Sequence, residues 1–276
     1  MLRIIAIVAH PDDAEFYAGG LAARYVRAGH AVKFVSLTSG DAGHHEQGGV
    51  ELAARRRAEA GEVARRLGIE YAVLGHHDGE LLPTLEARRQ VIGLIREWNA
   101  DLVLSSRPND YHPDHRSAGV LVQDAAYMVT VPNVVPDTPA LRRNPVFACF
   151  ADRFTRPQPF RADVVVAIDE VLDLKFDALD AHVSQVYEWL PWQRGRLDQV
   201  PADPVGRRRW LQQELPRLDP EYAFEVQPGW RQALSRWYGE RAGAVRHAEA
   251  FEITEFGHQP SDREIRELFP FFPDQR

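Results

Sequence analysis

The chain has 276 residues, of which 45% are hydrophobic and 26% are charged, and its formal net charge is −7. This composition suits one large globular domain, or one domain with an appended lobe, and it excludes global disorder. The acidic balance lacks the basic surface of nucleic-acid-binding proteins, so we expect no nucleic-acid partner.

The cysteine content and the lengths of the apolar runs limit the possible class of protein further. The single cysteine, Cys149, excludes an intrachain disulfide and a cysteine-based zinc site, so any metal ligands must be His, Asp or Glu. No apolar run approaches 18 residues, which predicts that no segment spans a membrane. The N-terminal residues do not have the pattern of a signal peptide, so we expect a cytoplasmic protein.

Strand and helix patterns alternate along the first half of the chain. In chain order they predict a strand at 4–9, a helix at 14–28, a strand at 32–37, a helix at 50–67, a strand at 71–74, a helix at 85–98, a strand at 101–105 and a helix from about His115. A later strand is predicted at 163–168, with a helix from near Asp169. The β-α-β order predicts an α/β, Rossmann-like fold, with a mostly parallel sheet and helices on both faces.

The amino-acid composition of the chain changes after about residue 187. Five of the six tryptophans lie between 187 and 245, where proline and arginine are also frequent. We therefore predict a catalytic core at 1–186, a helical, Trp-rich insertion or lobe at 187–245, and a C-terminal segment at 246–276 that returns to the core. The aromatic rings would either fill the lobe or an oligomer interface, or cover an extended sugar site.

Two loops rich in His and Asp follow two of the predicted parallel strands. One contains His10, Asp12 and Asp13, and the other contains His112 and His115. Ligands bind beyond the carboxyl ends of such strands, so the two loops are expected to meet. They supply enough ligands for a catalytic metal with an open position for water, together with a carboxylate and an imidazole for proton transfer. Spacing alone leaves the division of these roles open.

The same two loops resemble the signature of a known family. AHPDDAEF and YHPDHR resemble the motifs of the LmbE-like deacetylases, also called the PIG-L or N-acetylglucosaminyl-phosphatidylinositol de-N-acetylase family. Further similarity lies at 56–60, 67–68, 78–81 and 182–185. Either loop alone is a weak signal, whereas both in order are specific.

The resemblance implies a role for each residue of the two loops. His10, Asp13 and His115 would bind one Zn²⁺ per chain, although sites of this composition also accept iron, cobalt or manganese. Asp12 would be the general base that deprotonates the attacking water. His112 would be the electrophilic or acidic histidine near the carbonyl oxygen.

Two further residues are candidates for substrate binding. Arg56 matches a substrate-contacting arginine of the family, although Arg55 and Arg57 flank it and leave the register open. Asp78, in the loop after the third predicted strand, is the second candidate. The expected partner is a small N-acylated substrate, and the sequence leaves the oligomeric state open, a homo-oligomer included.

The expected function is zinc-dependent hydrolysis of an N-acyl, and specifically N-acetyl, bond on a small amino sugar or sugar conjugate. One alternative is an amidase that cleaves a larger sugar-thiol conjugate. Another is a metal-dependent phosphoester hydrolase, which typically holds two metal ions. A nucleotide-binding domain is disfavoured because the first loop lacks the glycine fingerprint. Metal binding without catalysis is disfavoured because Asp12 and His112 are not needed merely to hold zinc.

Overall fold

The computed structural model describes residues 1–218 and 224–273, which form one seven-stranded sheet with helices on both faces. The strands are β1 Arg3–Val8, β2 Ala31–Thr38, β3 Glu70–His76, β4 Leu102–Ser105, β5 Val146–Phe150, β6 Val164–Ala167 and β7 Ala248–Ile253. Their order across the sheet is β3-β2-β1-β4-β5-β7-β6. The predicted α/β, Rossmann-like architecture is therefore confirmed.

The α-helices lie between and after these strands in the chain. They are α1 Asp13–Arg27, α2 Gly49–Leu67, α3 Leu85–Trp98, α4 Pro113–Met128, α5 Leu172–Ala181, α6 Leu190–Gln193, α7 Pro204–Leu218, α8 Arg231–Tyr238 and α9 Asp262–Leu268. A π-helix at Ser184–Trp189 runs directly into α6. Within the described residues, no helix is long and apolar enough to cross a membrane.

The sheet is parallel except at β7. β1 pairs in parallel with β2 and β4, and the central strands are almost wholly buried, as their apolar runs predict. β7 inserts antiparallel between β5 and β6. Neither β5 nor β7 was predicted as a strand, because both lie outside the regular strand–helix alternation and β7 pairs with strands that lie about a hundred residues earlier in the chain.

Each face of the sheet carries one hydrophobic cluster. The first cluster packs α1 and α5 against the sheet and includes the buried rings of Trp210 and Trp237. The second packs α3 and α4 against the opposite face. Part of the Trp-rich segment at 187–245 thus shares a core with the sheet, while its boundaries as a separate unit stay a prediction.

The strand order brings the two His/Asp loops together. β1 lies between β2 and β4, so the chain turns to opposite sides of the sheet after β1 and opens a crevice at the carboxyl ends of these strands. The loop after β1 contains His10 to Asp13, and the loop after β4 contains Asp110 to His115. The crevice between them is where the candidate site lies.

Candidate active site

The loop after β1 makes a strained turn into α1. Asp12 is the residue before the helix and adopts φ 150°, a conformation that residues with a side chain rarely adopt and that costs about 1–3 kcal/mol. The backbone N–H of His10 donates to the Asp13 carboxylate at 2.8 Å, which closes the turn. The turn presents His10, Asp12 and Asp13 together at the start of the helix.

The loop after β4 is organised by helix capping. The His112 Nδ1 atom accepts a hydrogen bond from the backbone N–H of Asp114 at 3.2 Å, and Pro113 occupies the first turn of α4. Asp110 accepts from the backbone N–H of His112 at 2.8 Å and contacts His115 Nδ1 at 3.1 Å. His115 is thereby held one turn into the helix with its Nε2 atom facing the crevice.

Donor atoms of three side chains from the two loops lie close together, with a different oxygen of Asp13 nearest to each histidine. His10 Nδ1 lies 3.2 Å from His115 Nε2 and 3.5 Å from the Asp13 carboxylate, and His115 Nε2 lies 3.4 Å from the same carboxylate. A tetrahedral ion with bonds of about 2.1 Å requires adjacent ligand atoms about 3.4 Å apart. The three side chains therefore fit a single divalent cation.

His112 also presents a ring nitrogen near these donor atoms. Donor atoms of His10, His112 and His115 all lie within 4.8 Å of one another. His112 Nδ1 is engaged in the helix cap, which leaves its Nε2 atom to face the crevice, whereas the two oxygens of Asp13 each face one of the other histidines. Asp13 and His112 are therefore the two candidates for a third ligand beside His10 and His115.

Carboxylates behind the two histidines fix their ring orientations. His10 Nε2 lies 3.0 Å from Asp78 and 3.2 Å from Asp114, while His115 Nδ1 faces Asp110. Each outward nitrogen faces a carboxylate and can donate its proton to it, so the inward nitrogen is the atom that would bind a metal ion. Histidine ligands of metal ions are held in this way. Asp114, which is fully buried, also accepts from the backbone N–H groups of Gly79 and Leu81.

The electrostatics of this cluster favour a positive charge at its centre. Burial lowers the pKa of His115, but Asp13 and Asp110 outweigh that effect and raise it to about 10. Burial likewise opposes a net rise in the pKa of His10, to which Asp13, Asp114 and Asp78 contribute. Burial raises the pKa of Asp13, but the two histidines hold it well below its usual range.

Asp12 points to a different partner, Arg56. The Arg56 Nη2 atom donates to Asp12 Oδ1 at 3.0 Å and to the carbonyl of Pro11 at 2.8 Å, and its Nη1 atom donates to the carbonyl of Gly40 at 3.2 Å. Arg56 is only 2% exposed. Burial raises the pKa of Asp12 to about 6, although Arg56 opposes this rise.

The structure also resolves the register of the arginine run. Arg55 turns away and makes a two-point ion pair with Glu188, with nitrogen–oxygen distances of 2.6 and 2.7 Å. Arg57 is exposed. Arg56 is therefore the arginine that reaches the site, where it donates hydrogen bonds to Asp12 and to backbone carbonyls.

His112 is suited to donate a hydrogen bond rather than to carry a full charge. Its Nδ1 atom accepts from the backbone, which places the proton of the neutral ring on Nε2. Burial lowers the pKa of this half-buried ring, and the positive charges of His10 and His115 lower it further. A neutral N–H donor at this position can stabilise a developing oxyanion.

A cavity of about 910 Å³ opens above the cluster. Every residue singled out from the sequence lines this cavity: His10, Asp12, Asp13, Arg56, Asp78, His112 and His115. The sequence did not indicate a role for the lining residues Tyr111 and Gln185, and it left Trp189 and Trp192 between packing in a core or interface and covering an extended sugar site. Gln185 belonged to a recognised motif, and its side chain donates to the carbonyl of Gly43 at 3.1 Å.

Two aspartates in or near the second motif, the buried Asp114 and the partly buried Asp110, contact the histidines. Asp114 lies inside the second motif, but only the structure shows it supporting His10. Asp110 could be read equally as a helix cap or as a partner for a histidine, and it contacts the backbone of His112 and the ring of His115. Both roles depend on side-chain direction, which spacing does not specify.

Comparisons with known proteins agree with this geometry. The family model described as PIG-L, GlcNAc-PI de-N-acetylase, matches residues 5–126. The chain is 30% identical over 203 residues to a diacetylchitobiose deacetylase of Thermococcus kodakarensis, covering 69% of this chain and 73% of that protein. It is 25% identical over 201 residues to a 4-oxalmesaconate hydratase of Pseudomonas putida, covering 70% of this chain and 78% of that protein.

A solved structure extends the similarity over most of the chain. The N,N'-diacetylchitobiose deacetylase of Pyrococcus horikoshii superposes with a TM-score of 0.66 at 26% identity, covering 91% of this chain and 83% of that one. The fold and the His/Asp cluster define a metal-dependent hydrolase built on a Rossmann-like sheet. The chain belongs to the PIG-L, or LmbE-like, family of deacetylases, which hydrolyse amide bonds.

Proposed function

We propose that this protein uses one zinc ion to hydrolyse the N-acetyl group of an amino sugar or of a conjugate that contains one. The observation that carries the proposal is the convergence of His10, Asp13 and His115 at 3.2–3.5 Å, with the Asp12 carboxylate and the His112 ring beside them. The deacetylase relatives support the amide bond as the target.

Zinc is the metal that we propose for the native enzyme. Two imidazoles and one carboxylate at tetrahedral spacing leave a fourth position open, which is the usual arrangement of a catalytic zinc site. Iron, cobalt and manganese accept the same donors, so metal availability also matters. When bound, the ion acidifies a water molecule and polarises the substrate carbonyl.

The residues of this chain would perform the proton transfers and the charge stabilisation. Asp12 takes the proton from the attacking water, since its carboxylate lies next to the ligands and Arg56 keeps it oriented. His112 Nε2–H donates to the oxygen of the acetyl carbonyl as negative charge develops there. The proton held by Asp12 then passes to the leaving nitrogen, the C–N bond breaks, and acetate and a free amine are released.

The shape of the cavity supports a sugar-containing substrate. Trp189 and Trp192 stack with ring centroids 5.2 Å apart and line the same cavity as the histidines. Aromatic faces of this kind pack against the apolar face of a sugar ring. The volume of about 910 Å³ exceeds that of a single small sugar, so a larger conjugate, a sugar-thiol conjugate included, remains compatible with the site.

The two-metal alternative is less well supported. A second group of donors, His10, Asp78 and Asp114, shares His10 with the first cluster. Asp114 already accepts two backbone N–H groups and is fully buried, so its oxygens are committed to the loop. One catalytic ion is therefore the arrangement that we propose.

The test is a release assay on the zinc-reconstituted protein. N-acetylglucosamine, diacetylchitobiose and glycosides of N-acetylglucosamine would each be assayed for free amine and for acetate in equal amounts. Asp12→Asn is the matched control, since it preserves size but removes the base. We expect release by the wild-type protein and a loss of about 10²–10⁴-fold in Asp12→Asn.

Two outcomes would contradict the proposal. The first is that no N-acetylated sugar releases acetate above the Asp12→Asn background. The second is that the protein instead adds water to an unsaturated carboxylic acid, as the name of the Pseudomonas putida relative describes for that enzyme, while leaving all amides intact.

A further inference from the structure

A second, smaller cavity adjoins the catalytic one. It has a volume of about 300 Å³ and lies between the start of α1, the segment at 151–162 and the residues around Trp230. We call it the side cavity. Four residues line both cavities, namely Phe16, Tyr17, Arg153 and Phe154. The two cavities therefore share a wall, in which Phe16 and Tyr17 lie about one helical turn from Asp13.

The side cavity is predominantly aromatic. Six of its lining side chains are aromatic: Phe16, Tyr17, Phe154, Phe160, Phe224 and Trp230. Alanines at 151, 162, 248 and 250 add further apolar surface. Such walls favour the burial of an apolar group over the burial of a charged one.

Two charged residues at the side cavity, Asp152 and Glu249, are paired within the protein, whereas Arg153 and Glu225 are exposed to solvent. Asp152 is held by Arg107 at 2.5 and 2.6 Å, and Glu249 accepts from Lys175 at 2.6 Å. The buried carboxylates are therefore already neutralised by the protein, and the interior offers dispersion contacts rather than charge.

We propose that the side cavity binds an apolar arm of the substrate whose N-acetyl or N-acyl group lies at the catalytic cluster. At about 30 Å³ for each small group at liquid density, the cavity accommodates roughly ten non-hydrogen atoms. A linear alkyl chain or a single aryl ring has this size. This inference rests on the proposed N-deacylase function and extends it to a class of substrate.

Two parts of a substrate could supply the apolar arm. It could be the acyl chain itself, if the natural group is longer than acetyl, or it could be the group attached at the anomeric carbon of the sugar. Both sources share the same chemistry, and two series of compounds separate them. One series is N-acyl glucosamines from acetyl to decanoyl. The other is alkyl glycosides of N-acetylglucosamine from methyl to decyl, all used below their micellar concentrations.

The expected result is a rise of kcat/KM with chain length in one of the two series. Each methylene that becomes buried should increase kcat/KM by about fourfold, until the cavity is full at roughly eight to ten carbons. A rise in the acyl series assigns the arm to the acyl group, and a rise in the glycoside series assigns it to the aglycone. No dependence on chain length in either series would overturn the inference.

Two wall variants test the location of the arm in opposite directions. Ala162→Trp should fill the side cavity and reduce the ratio of kcat/KM between the octyl and shortest substrates to about one. Phe160→Ala should enlarge the cavity and move the optimum to a longer chain. Ala58→Trp, on the exposed face of α2, is the matched control for the added ring and should retain the wild-type ratio. An unchanged ratio in both wall variants would also overturn the inference.

The acetylated parent compounds distinguish failure of this inference from failure of the proposed function. If the acetylated parent compounds release acetate but neither series responds to length, the enzyme is a deacetylase without an apolar arm site. If no compound of either series is hydrolysed, and diacetylchitobiose is not hydrolysed either, the proposed function itself fails. Thermal unfolding of each variant shows whether the change in ratio occurs in a folded protein.

Discussion

Arg56 donates a hydrogen bond to Asp12 Oδ1 across 3.0 Å, and both side chains are almost completely buried beneath the catalytic cavity. Arg56 thus places a permanent positive charge against the carboxylate that we propose as the general base. Its other hydrogen bonds hold the carbonyls of Pro11 and Gly40, which tie the turn after β1 to α2. Arg56 therefore both holds the turn after β1 in place and lowers the pKa of Asp12.

The first prediction follows from that charge and concerns the pH dependence of activity. Asp12 must be ionised to accept a proton, so kcat/KM falls as the pH drops through its pKa. Burial raises this pKa to about 6 in the metal-free protein and Arg56 lowers it, so Arg56→Met should raise it further. We expect the acid limb of the pH profile to move upward by about one to three units.

The neighbouring arginine provides the control for this prediction. Arg55 pairs with Glu188 outside the cluster, so Arg55→Met should leave the acid limb where it is. A bound metal ion lowers the pKa of Asp12 in wild type and variant alike and does not change the direction of the difference. An Arg56→Met enzyme that is folded and active, with an unshifted acid limb, would be inconsistent with Asp12 as the base.

The second prediction separates the two candidate sets of metal ligands. His115→Ala and Asp13→Ala should each reduce the zinc content from about one ion per chain to near zero, because three protein ligands are the minimum of a stable catalytic site. His112→Ala should retain the ion and lose activity. Elemental analysis after dialysis measures the metal, and circular dichroism confirms the fold. Loss of zinc in His112→Ala with retention in Asp13→Ala would reverse the assignment.

The third prediction concerns the carboxylate behind His115. Asp110→Asn weakens the hydrogen bond that orients the His115 ring and stabilises its tautomer. Zinc affinity should fall by about 10–100-fold, as measured by competition with a chromogenic chelator. Asp124→Asn, on the exposed side of α4, the helix that contains His115, is the control and should bind zinc as the wild type does. Equal affinity in the two variants would refute a supporting role for Asp110.

The sequence was sufficient for the parts of the site that depend on chain order. Loops that follow parallel strands at a switch point must meet, so His10 and His115 could be brought together from strand order alone. The role of Asp114 could not, because its carboxylate reaches across to His10 only when the loop at 78–81 folds over it. The family resemblance supplied the division of roles, and the structure supplied the hydrogen bonds that make this division physically reasonable.

Prediction of the fold from the sequence has the same limit, because it misses contacts between distant parts of the chain. A continuous apolar run identified β1, and the alternation of strand and helix patterns after it identified β2 and β4, whereas β7 depends on pairing with β5 and β6 across long separations in the chain. The Trp-rich segment was expected either to fill a core or to face a sugar. Its tryptophans divide between the two, since Trp210 and Trp237 are buried in the core while Trp189 and Trp192 line the catalytic cavity.

The fourth prediction concerns stability and the buried pair formed by Lys175 and Glu249. The Lys175 Nζ atom donates to Glu249 Oε1 and to the carbonyl of Phe16, both at 2.6 Å, and the other oxygen of Glu249 accepts from the backbone N–H of Leu21 at 2.6 Å. Burial lowers the pKa of Lys175, and Glu249 opposes that shift. Removing one partner of such a pair typically costs about 3–5 kcal/mol.

The two single variants should differ in their effects. In Glu249→Gln the amide group must point a donor toward either the ammonium of Lys175 or a backbone N–H, so the free energy of unfolding should fall by about 3–5 kcal/mol. Lys175→Met leaves Glu249 with its backbone donors from Gly20 and Leu21, so the loss should be smaller. Urea unfolding measures both. The exposed pair of Arg263 and Glu267 is the control, and Arg263→Met should change stability by no more than about 0.5 kcal/mol. A larger loss in Lys175→Met than in Glu249→Gln would show that the ammonium, rather than the carboxylate, organises this part of the core.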